Sequence, residues 1–451
     1  MTTADDAFVP CDAPLARDAR LRDAQRRAVA AARASHRPLR LLALLAGPGM
    51  LVMLGENDGP SMLSYATTGA AYGIGFFVPF IVVTFVAAFI VQEMTVRLGA
   101  ATQRGHAELI FERFGPFWGY FAMGDLIVGN LLTLVTEFVA VQAGALYFGV
   151  PAWASVGSAV VLVGIALATR RYVTWERALL VLAFGNLLFI PAALLAHPSG
   201  GELLHAMRTW GPLPGGSSVL FLTLVLANIG ATVTPWMIFF QQSSVVDKGL
   251  DASDIPQGRI DTGIGAGVAA IVAIAAVVVA STLSRSHQSV ASLVSGADFA
   301  TALRPHIGNA GASLFALGII EAGLLAAMTV STSSAYAFGE TFRFGHSLNL
   351  DFSHGKIFYG VAFCSATLAA VVVLIPHAPL LAMTLTVNVI ATLMMVPALL
   401  FLLLLVNDRD VMGPLVNSIR ANVAGGTIVA GISLVGALYG AITIFPRLLP
   451  H

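Results

Sequence analysis

Long runs of apolar residues, separated by short polar segments, extend over most of the chain. A helix that crosses the hydrocarbon core of a bilayer needs about 20 mostly apolar residues. Six windows meet this requirement without a charged side chain: Pro151–Thr169, Ala178–Ala196, Ile264–Leu283, Ile357–Ile375, Ala378–Val406 and Ala424–Pro446. Five more are interrupted by polar or charged residues: Leu41–Tyr72, Ile74–Leu98, Phe117–Phe148, Val219–Phe240 and Gly311–Gly339. The pattern predicts an all-α integral membrane protein with eleven transmembrane helices.

Two of the interrupted windows contain residues that break helices. The first window contains "NDGPSM" at 57–62, and the sixth contains "IGATVTPWM" at 229–237. Irregular backbone at membrane depth is tolerated only against protein or a wet cavity, and paired broken helices indicate an inverted-repeat transporter with its binding site near the midplane. We therefore expect two inverted five-helix repeats at 41–196 and 217–406, followed by an eleventh helix at 424–446.

The composition agrees with a membrane protein. Of the 451 residues, 57% are hydrophobic and 11% are charged, and the mean hydropathy is +0.83. The net charge is zero, so the total charge says nothing about an acidic or basic partner. The two cysteines, Cys11 and Cys364, form neither a disulfide framework nor a metal-ligand spacing. Residues 1–40 lack the pattern of a signal peptide and are predicted to form a basic cytoplasmic tail.

The positions of the basic residues predict the orientation. Loops retained in the cytoplasm are enriched in Lys and Arg. With the N-terminus inside and eleven spans, all 24 Lys and Arg residues except Arg208, Arg285, Arg304 and Arg447 fall on the cytoplasmic side. We expect a multi-pass protein of the bacterial cytoplasmic membrane with its C-terminus outside.

Asp58 is the strongest candidate for a cation-binding residue. A carboxylate near the bilayer centre is costly and persists where a partner, a water-filled cavity or a cation compensates it. The alternative is that Asp58 caps the half-helix that begins at Gly59-Pro60, although a neutral Ser or Asn would cap without the charge. Two roles are open for Glu56: it contacts the cation or its waters, or it supports the loop as a protonated or hydrogen-bonded acid. Asn57, between Glu56 and Asp58, is a further candidate for the surroundings of the ion or for its pathway.

The second break offers neutral oxygens. The carbonyl of Ala231 and the hydroxyls of Thr232 and Thr234 are donors of the kind that hard cations use, although a threonine in a helix commonly bonds to its own backbone. Other polar residues within spans are candidates for the ion pathway or for contacts between helices: Asp125, Glu137, Glu321 and Asn388.

Signatures of soluble enzymes are absent from the sequence. It contains no P-loop, HExxH or GxSxG motif and no Gly-rich dinucleotide turn, and its ten histidines lack metal-ligand spacing. We therefore expect no enzymatic activity, no cofactor, no nucleic-acid partner and no obligate protein partner.

From about Leu42 to Asn417 the chain resembles the natural resistance-associated macrophage protein (NRAMP) family of divalent metal transporters. "GPGMLVMLGENDGPSM" is similar to the family's first-helix motif ending in Asp-Pro-Gly-Asn, "GATVTP" to its sixth-helix Gly-Ala-Thr-Val-Met-Pro, and "TEFVAVQAGALYFGVP" to its third helix. The resemblance implies a fold like that of the amino-acid symporter LeuT and alternating access around a metal between helices one and six.

The resemblance also assigns roles to single positions. The family's metal-binding aspartate falls on Asp58 and its carbonyl ligand on Ala231, whereas its asparagine falls on Ser61 and its metal-binding methionine on Thr234. Two groups of the family's proton route are replaced by Trp236 and Leu134. A thioether favours transition metals, so its exchange for a hydroxyl leaves an all-oxygen site suited to a harder ion.

These departures resemble the NRAMP-related magnesium transporters and predict transport of partly hydrated Mg²⁺, with Mn²⁺ also accepted and with weak or no proton coupling. One alternative is a proton-coupled Mn²⁺ or Fe²⁺ importer in which Glu56 and Glu137 replace the missing proton groups. Another is a symporter for amino acids or other organic solutes on the same fold, and a third is a metal sensor with the basic tail as its output.

Overall fold

A computed structural model describes residues 16–35, 44, 47–211, 213, 215, 217–286, 296–375 and 380–444. Helices account for nearly all of these residues, and none of them lies in a β-strand. Half of the predicted tail, residues 1–15 and 36–40, and the predicted span ends at 41–43, 45–46, 378–379 and 445–446 lie outside the described residues.

The helices are numbered here in chain order. They are α1 Ala16–Ala34, α2 Pro48–Gly55, α3 Gly59–Tyr72, α4 Phe77–Thr102, α5 His106–Phe114, α6 Pro116–Tyr147, α7 Ala152–Leu167, α8 Tyr172–Ala183, α9 Phe189–Leu195, α10 Gly200–Thr209, α11 Ser218–Gly230, α12 Pro235–Lys248, α13 Ile255–Arg285, α14 Gly296–Phe342, α15 Lys356–Val373, α16 Leu380–Asn407, α17 Arg409–Met412 and α18 Ile419–Ile444. Short 3₁₀ segments cover Phe184–Leu188, Ala252–Asp254 and Gly413–Leu415.

Each predicted span has a counterpart in these helices. Within the described residues, nine helical segments are long and apolar enough to cross a membrane. The shorter apolar helix α7 and the interrupted pair α2 and α3 supply the remaining two spans. The prediction of eleven spans is therefore confirmed, and the chain is a multi-pass membrane protein.

Several helices extend beyond the apolar windows that predicted them. The fifth span begins at Tyr172 rather than Ala178, because Glu176 is buried in an ion pair with Lys248 and so remains within the helix. The seventh span begins at Ile255 rather than Ile264. Helix α14 is longer than the predicted window 311–339 and is kinked at Gly308, where the backbone φ of 71° suits a residue without a Cβ.

The first predicted break separates α2 from α3. Helix α2 ends at Gly55, with Glu56 as its C-cap, and α3 begins at Gly59. Pro60 lies in the first turn of α3, where its missing N–H costs no helical hydrogen bond. The chain therefore leaves helical geometry at the position predicted from the sequence.

The second predicted break separates α11 from α12. Helix α11 ends at Gly230, followed by Ala231 as its C-cap. Thr234 has extended backbone angles and precedes Pro235, the first residue of α12. A proline biases the preceding residue towards extended geometry, which explains why the helix resumes only here.

Close packing of helices positions the first break. Helix α13 packs against both α2 and α3, and α6 packs against α14. A Cβ added at Gly59 would lie 2.1 Å from the Cβ of Ala140, so only glycine permits α3 to approach α6 this closely. This approach brings the start of α3 to the position of Glu137.

Part of the predicted tail forms the helix α1 on one face of the molecule. Val29 is buried with Val245 and Leu250 in a small apolar cluster. The Nε of Arg26 donates a hydrogen bond to the carbonyl of Gly249 at 3.4 Å. We refer to this face as the α1 side of the molecule.

Candidate functional site

The two helix breaks lie against each other in the interior. The Thr234 hydroxyl donates a hydrogen bond to Glu56 Oε2 at 2.8 Å, joining the second break to the first. The Tyr65 hydroxyl donates to the carbonyl of Ala231 at 2.7 Å, joining α3 to the same break. The structure therefore brings together the residues that the sequence predicted from two distant segments.

Asp58 lies at the start of α3 and is almost fully buried, with an exposed fraction of 2%. Its Oδ1 accepts a hydrogen bond from the backbone N–H of Ser61 at 2.8 Å, which is the geometry of an N-cap. The Ser61 hydroxyl lies beside the same carboxylate without a well-oriented hydrogen bond. Capping uses one face of the carboxylate and leaves the rest of its negative charge without a cationic partner.

Two further carboxyl groups flank Asp58. Glu137 Oε2 accepts a hydrogen bond from the backbone N–H of Gly59 at 3.2 Å. Glu56 and Glu137 are both fully buried, and the charge of Asp58 acts on each of them. One oxygen of each, Glu56 Oε1 and Glu137 Oε1, has no hydrogen-bond partner. The first break therefore concentrates negative charge that a cation would stabilise.

The acids surround the break without forming a compact metal cluster. Within the described ranges, no group of three His, Cys, Asp or Glu side chains is placed to hold one ion.

The second break supplies neutral oxygens in a hydrogen-bonded chain. The Tyr65 hydroxyl lies 2.9 Å from Thr232 Oγ1, which lies 3.1 Å from Thr84 Oγ1. Thr232 also donates to the carbonyl of Asn228 at 2.8 Å, which is the bond to its own helix backbone that threonines commonly make. Thr232 is thus bound within the protein, and the Ala231 carbonyl has one lone pair left beyond its bond to Tyr65.

Asn57 and Asn388 hold the site to its neighbours. Asn57 Nδ2 donates to the carbonyl of Ala269 in α13 at 2.8 Å, while its Oδ1 has no partner. Asn388 Nδ2 donates to the Ser64 hydroxyl at 2.9 Å, connecting α16 to α3. Asn388 therefore makes the contact between helices that is common for such residues.

The two positions that the resemblance assigns to the family's proton route hold side chains without a titratable group. Leu134 and Trp236 are both buried, and the indole ring of Trp236 lies near Gly55 at the end of α2. The Trp236 N–H lies near Glu56 without a well-oriented hydrogen bond. Neither side chain titrates, so neither can carry a proton past Asp58.

Asp125 and Glu321 lie apart from this group of residues. Asp125 is half-buried near the beginning of α6. Glu321 in α14 is buried, and its Oε1 lies 3.4 Å from Asn186 Nδ2, a partner that the sequence did not indicate. The structure does not bring either acid to Asp58.

The α1 side of the site is closed by buried polar contacts. The backbone N–H groups of Gly47 and Gly49, at the start of α2, donate to Asp261 at 3.0 and 2.7 Å. Lys248 and Glu176 form an ion pair at 2.7 Å beside them. At the start of α5, burial lowers the pKa of His106 to about 4, so this residue stays uncharged at neutral pH. Because Asp58 is buried and these contacts close the α1 side, the site is occluded.

Comparisons of sequence identify relatives of the chain. Residues 49–441 match the family described as natural resistance-associated macrophage protein-like. The chain is 29% identical over 302 residues to a Pseudomonas aeruginosa protein named divalent metal cation transporter MntH 1, and the alignment covers 63% of this chain and 67% of that protein. An Erwinia tasmaniensis protein named divalent metal cation transporter MntH is 29% identical over 294 residues, with 62% of this chain and 68% of that protein covered.

Comparisons of structure give the same fold. A manganese transporter of Eremococcus coleocola superimposes with a TM-score of 0.72 at 20% identity, covering 89% of this chain and 87% of that one. The protein MhsT in complex with L-phenylalanine superimposes with a TM-score of 0.54 at 15% identity, covering 86% and 98%. These likenesses concern the fold alone, and they confirm the predicted LeuT-like class with two broken helices.

Proposed function

Because the chain belongs to the natural resistance-associated macrophage protein family, we propose that it is a secondary transporter that carries divalent metal ions by alternating access between the broken helices. Relatives named divalent metal cation transporters support this class of substrate and, with the family, a transporter rather than an enzyme. The buried carboxylate of Asp58 is the principal charge for the ion.

Mg²⁺ is the proposed principal substrate, with Mn²⁺ also accepted. The single observation that carries this proposal is the position of Thr234, whose hydroxyl faces Glu56 at the junction of the two breaks. With Asp58, Ser61 and the Ala231 carbonyl, it gives a set of oxygen donors without a thioether. Oxygen donors suit Mg²⁺ and Mn²⁺, whereas a thioether selects softer transition metals.

The ion is proposed to pass partly hydrated. Mg²⁺ dehydrates reluctantly and is usually bound by one or two carboxylates and several waters. Proton coupling is proposed to be weak or absent, since Trp236 and Leu134 occupy the positions of titratable groups.

The proposed location is a bacterial cytoplasmic membrane, with the N-terminus in the cytoplasm and the C-terminus outside. The distribution of Lys and Arg supports this orientation, which would place the α1 side in the cytoplasm. The substrate would then leave for the cytoplasm when the contacts of Asp261 and Lys248 open.

The substitution Thr234→Met tests the proposed selectivity. A thioether at this position should raise the preference for Mn²⁺ or Cd²⁺ over Mg²⁺ by about tenfold, a difference of about 1.4 kcal/mol. The measurement is uptake of each ion into proteoliposomes. Thr427→Met, on the exposed face of α18, is the matched control and should leave selectivity unchanged. Unchanged selectivity in Thr234→Met would assign Thr234 a structural role.

A proton-coupled Mn²⁺ importer is the second candidate, because Glu56 and Glu137 are buried beside Asp58 and each has one unpartnered oxygen. Proteoliposomes that contain a pH-sensitive dye distinguish the two functions. Strong Mn²⁺ uptake with internal acidification and no Mg²⁺ uptake would favour the importer. Uptake of both ions without acidification supports the proposed magnesium transporter.

The remaining alternatives have direct tests of their own. An organic-solute symporter would bind leucine or alanine without metal, although Asp58 would repel a substrate carboxylate. A metal sensor would bind the ion without flux, and deletion of residues 1–36 would leave that binding unchanged while removing the output.

A further inference from the structure

Glu321 is a buried acid that the metal site does not use. It lies in α14 with an exposed fraction of 8%. Its Oε2 has no hydrogen-bond partner, and no Lys, Arg or His of the described part of the chain acts on its charge. An ionised carboxylate with one oxygen unpartnered is costly within a membrane, and either a bound proton or a bound cation would compensate it.

Gly185 makes space for the side chain of Glu321 at the 3₁₀ segment that interrupts the fifth span. The 3₁₀ segment Phe184–Leu188 lies between α8 and α9. A Cβ added at Gly185 would lie 2.4 Å from the Cγ of Glu321. The glycine therefore allows the acid to lie directly on the backbone of this segment.

Asn186 connects Glu321 to the first broken helix. Its Nδ2 lies 3.4 Å from Glu321 Oε1 and 3.4 Å from the carbonyl oxygen of Leu54. Its Oδ1 is buried without a partner. Leu54 is in the last turn of α2, where the end of the helix leaves carbonyls without intrahelical donors.

Asn186 lies at the spacing of cation ligands from both of the other groups. An asparagine amide presents either its nitrogen or its oxygen to the same point after half a turn about χ2. After that rotation the Asn186 oxygen would lie about 3.4 Å from both the Leu54 carbonyl oxygen and Glu321 Oε1, the two distances that its nitrogen has now. Two ligands at right angles, each about 2.4 Å from an ion, are about 3.4 Å from each other. A bond of about 2.4 Å lies within the range of calcium–oxygen distances.

The charge of the site selects the class of ion. One carboxylate and two neutral oxygens carry a single negative charge, which a monovalent cation neutralises. A divalent ion would leave a net positive charge in a surrounding of low dielectric constant, which is unfavourable. An ion of the size of Na⁺ satisfies both the spacing and the charge.

We propose that the Leu54 carbonyl, Asn186 and Glu321 form a second cation site that binds Na⁺, separate from the site at Asp58. The bound ion would hold the end of α2 against α14 and the 3₁₀ segment. Because Leu54 is four residues before Asp58 in the chain, occupation of this site would stabilise the occluded arrangement. Binding of Na⁺ does not depend on which divalent ion the protein carries.

The test measures thermal unfolding of the purified full-length protein without divalent ions. NaCl is compared with N-methyl-D-glucamine chloride at equal ionic strength, so that screening is constant. The wild type should show a saturable rise in Tm with Na⁺, since a ligand of the native state raises Tm. The rise should disappear in Glu321→Gln and persist in the control Asp125→Asn, which removes an acid elsewhere.

A second measurement covers the case in which Glu321→Gln fails to fold. Binding of ²²Na⁺ to the wild type should saturate at one ion per chain in the presence of Mg²⁺, and Asn186→Ala should weaken it at least tenfold. Absence of saturable Na⁺ binding in the wild type would overturn the proposal. Retention of the Na⁺ response in Glu321→Gln, or a stabilisation that follows pH and not Na⁺, would overturn it as well.

Discussion

The two helix breaks differ in how they handle charge. The first break, residues 56–58, contains Glu56 and Asp58 and contacts Glu137. The second break, residues 231–234, contains no charged residue, and its oxygens belong to hydroxyl and carbonyl groups. We infer that the first break supplies the attraction for the ion, while the second break determines which ion is preferred.

The substitution Asp58→Asn should give the largest effect in this comparison. Asparagine caps a helix about as well as aspartate, so α3 should keep its start while the charge is lost. Metal affinity should fall at least 100-fold, measured by isothermal titration, with Tm nearly unchanged. A variant that binds metal normally would mean that Asp58 serves only as the cap.

The substitution Glu137→Gln should give the next largest effect. The glutamine oxygen can still accept the hydrogen bond from Gly59, so the contact between α3 and α6 is preserved. Loss of one buried negative charge beside Asp58 should weaken Mg²⁺ binding about tenfold. Thr136→Ser on the same helix turn is the control. Equal affinity in Glu137→Gln would confine this acid to a structural role.

The substitution Tyr65→Phe changes the second break without altering charge. It removes the hydroxyl that bonds the Ala231 carbonyl and Thr232. The free energy of unfolding should fall by about 1–3 kcal/mol, because the buried Ala231 carbonyl loses its hydrogen-bond donor and Thr232 loses a partner. Selectivity between Mg²⁺ and Mn²⁺ should change more than total affinity. A large loss of affinity for both ions alike would contradict the division between the two breaks.

The substitution Ser61→Asn should give the smallest effect. The longer amide fills space beside Asp58 and leaves less room for the waters of a hydrated ion. Uptake of Mn²⁺ relative to Mg²⁺ should rise severalfold, because Mg²⁺ gives up its waters less readily. An unchanged ratio of the two uptake rates would indicate that the ion does not pass close to Ser61.

The sequence was sufficient to predict the breaks, because Gly, Pro and charged residues within an apolar window have few structural explanations. It did not predict the contact of Tyr65 with Ala231, which joins residues far apart in the chain. A signal for it existed: Tyr65 follows Asp58 by seven residues, about two helical turns, and so lies on the same face of α3.

The ends of the spans and the partner of Glu321 were also beyond sequence reasoning. Glu176 and Lys248 looked like loop residues, whereas their mutual contact allows both to be buried within helices. Asn186 appeared in an uninterrupted apolar window, and only the 3₁₀ segment turns it towards Glu321 and Leu54. Such pairings depend on tertiary contacts that hydropathy does not record.

Competition between ions for the purified wild-type protein tests the central claim most directly. Proteoliposomes are loaded with an indicator of Mg²⁺, and uptake is measured with increasing external Mn²⁺ or Ca²⁺ at constant pH. We expect saturable Mg²⁺ uptake that Mn²⁺ inhibits competitively and that persists without a proton gradient. Absence of Mg²⁺ uptake, together with Mn²⁺ uptake that requires a proton gradient, would contradict the account.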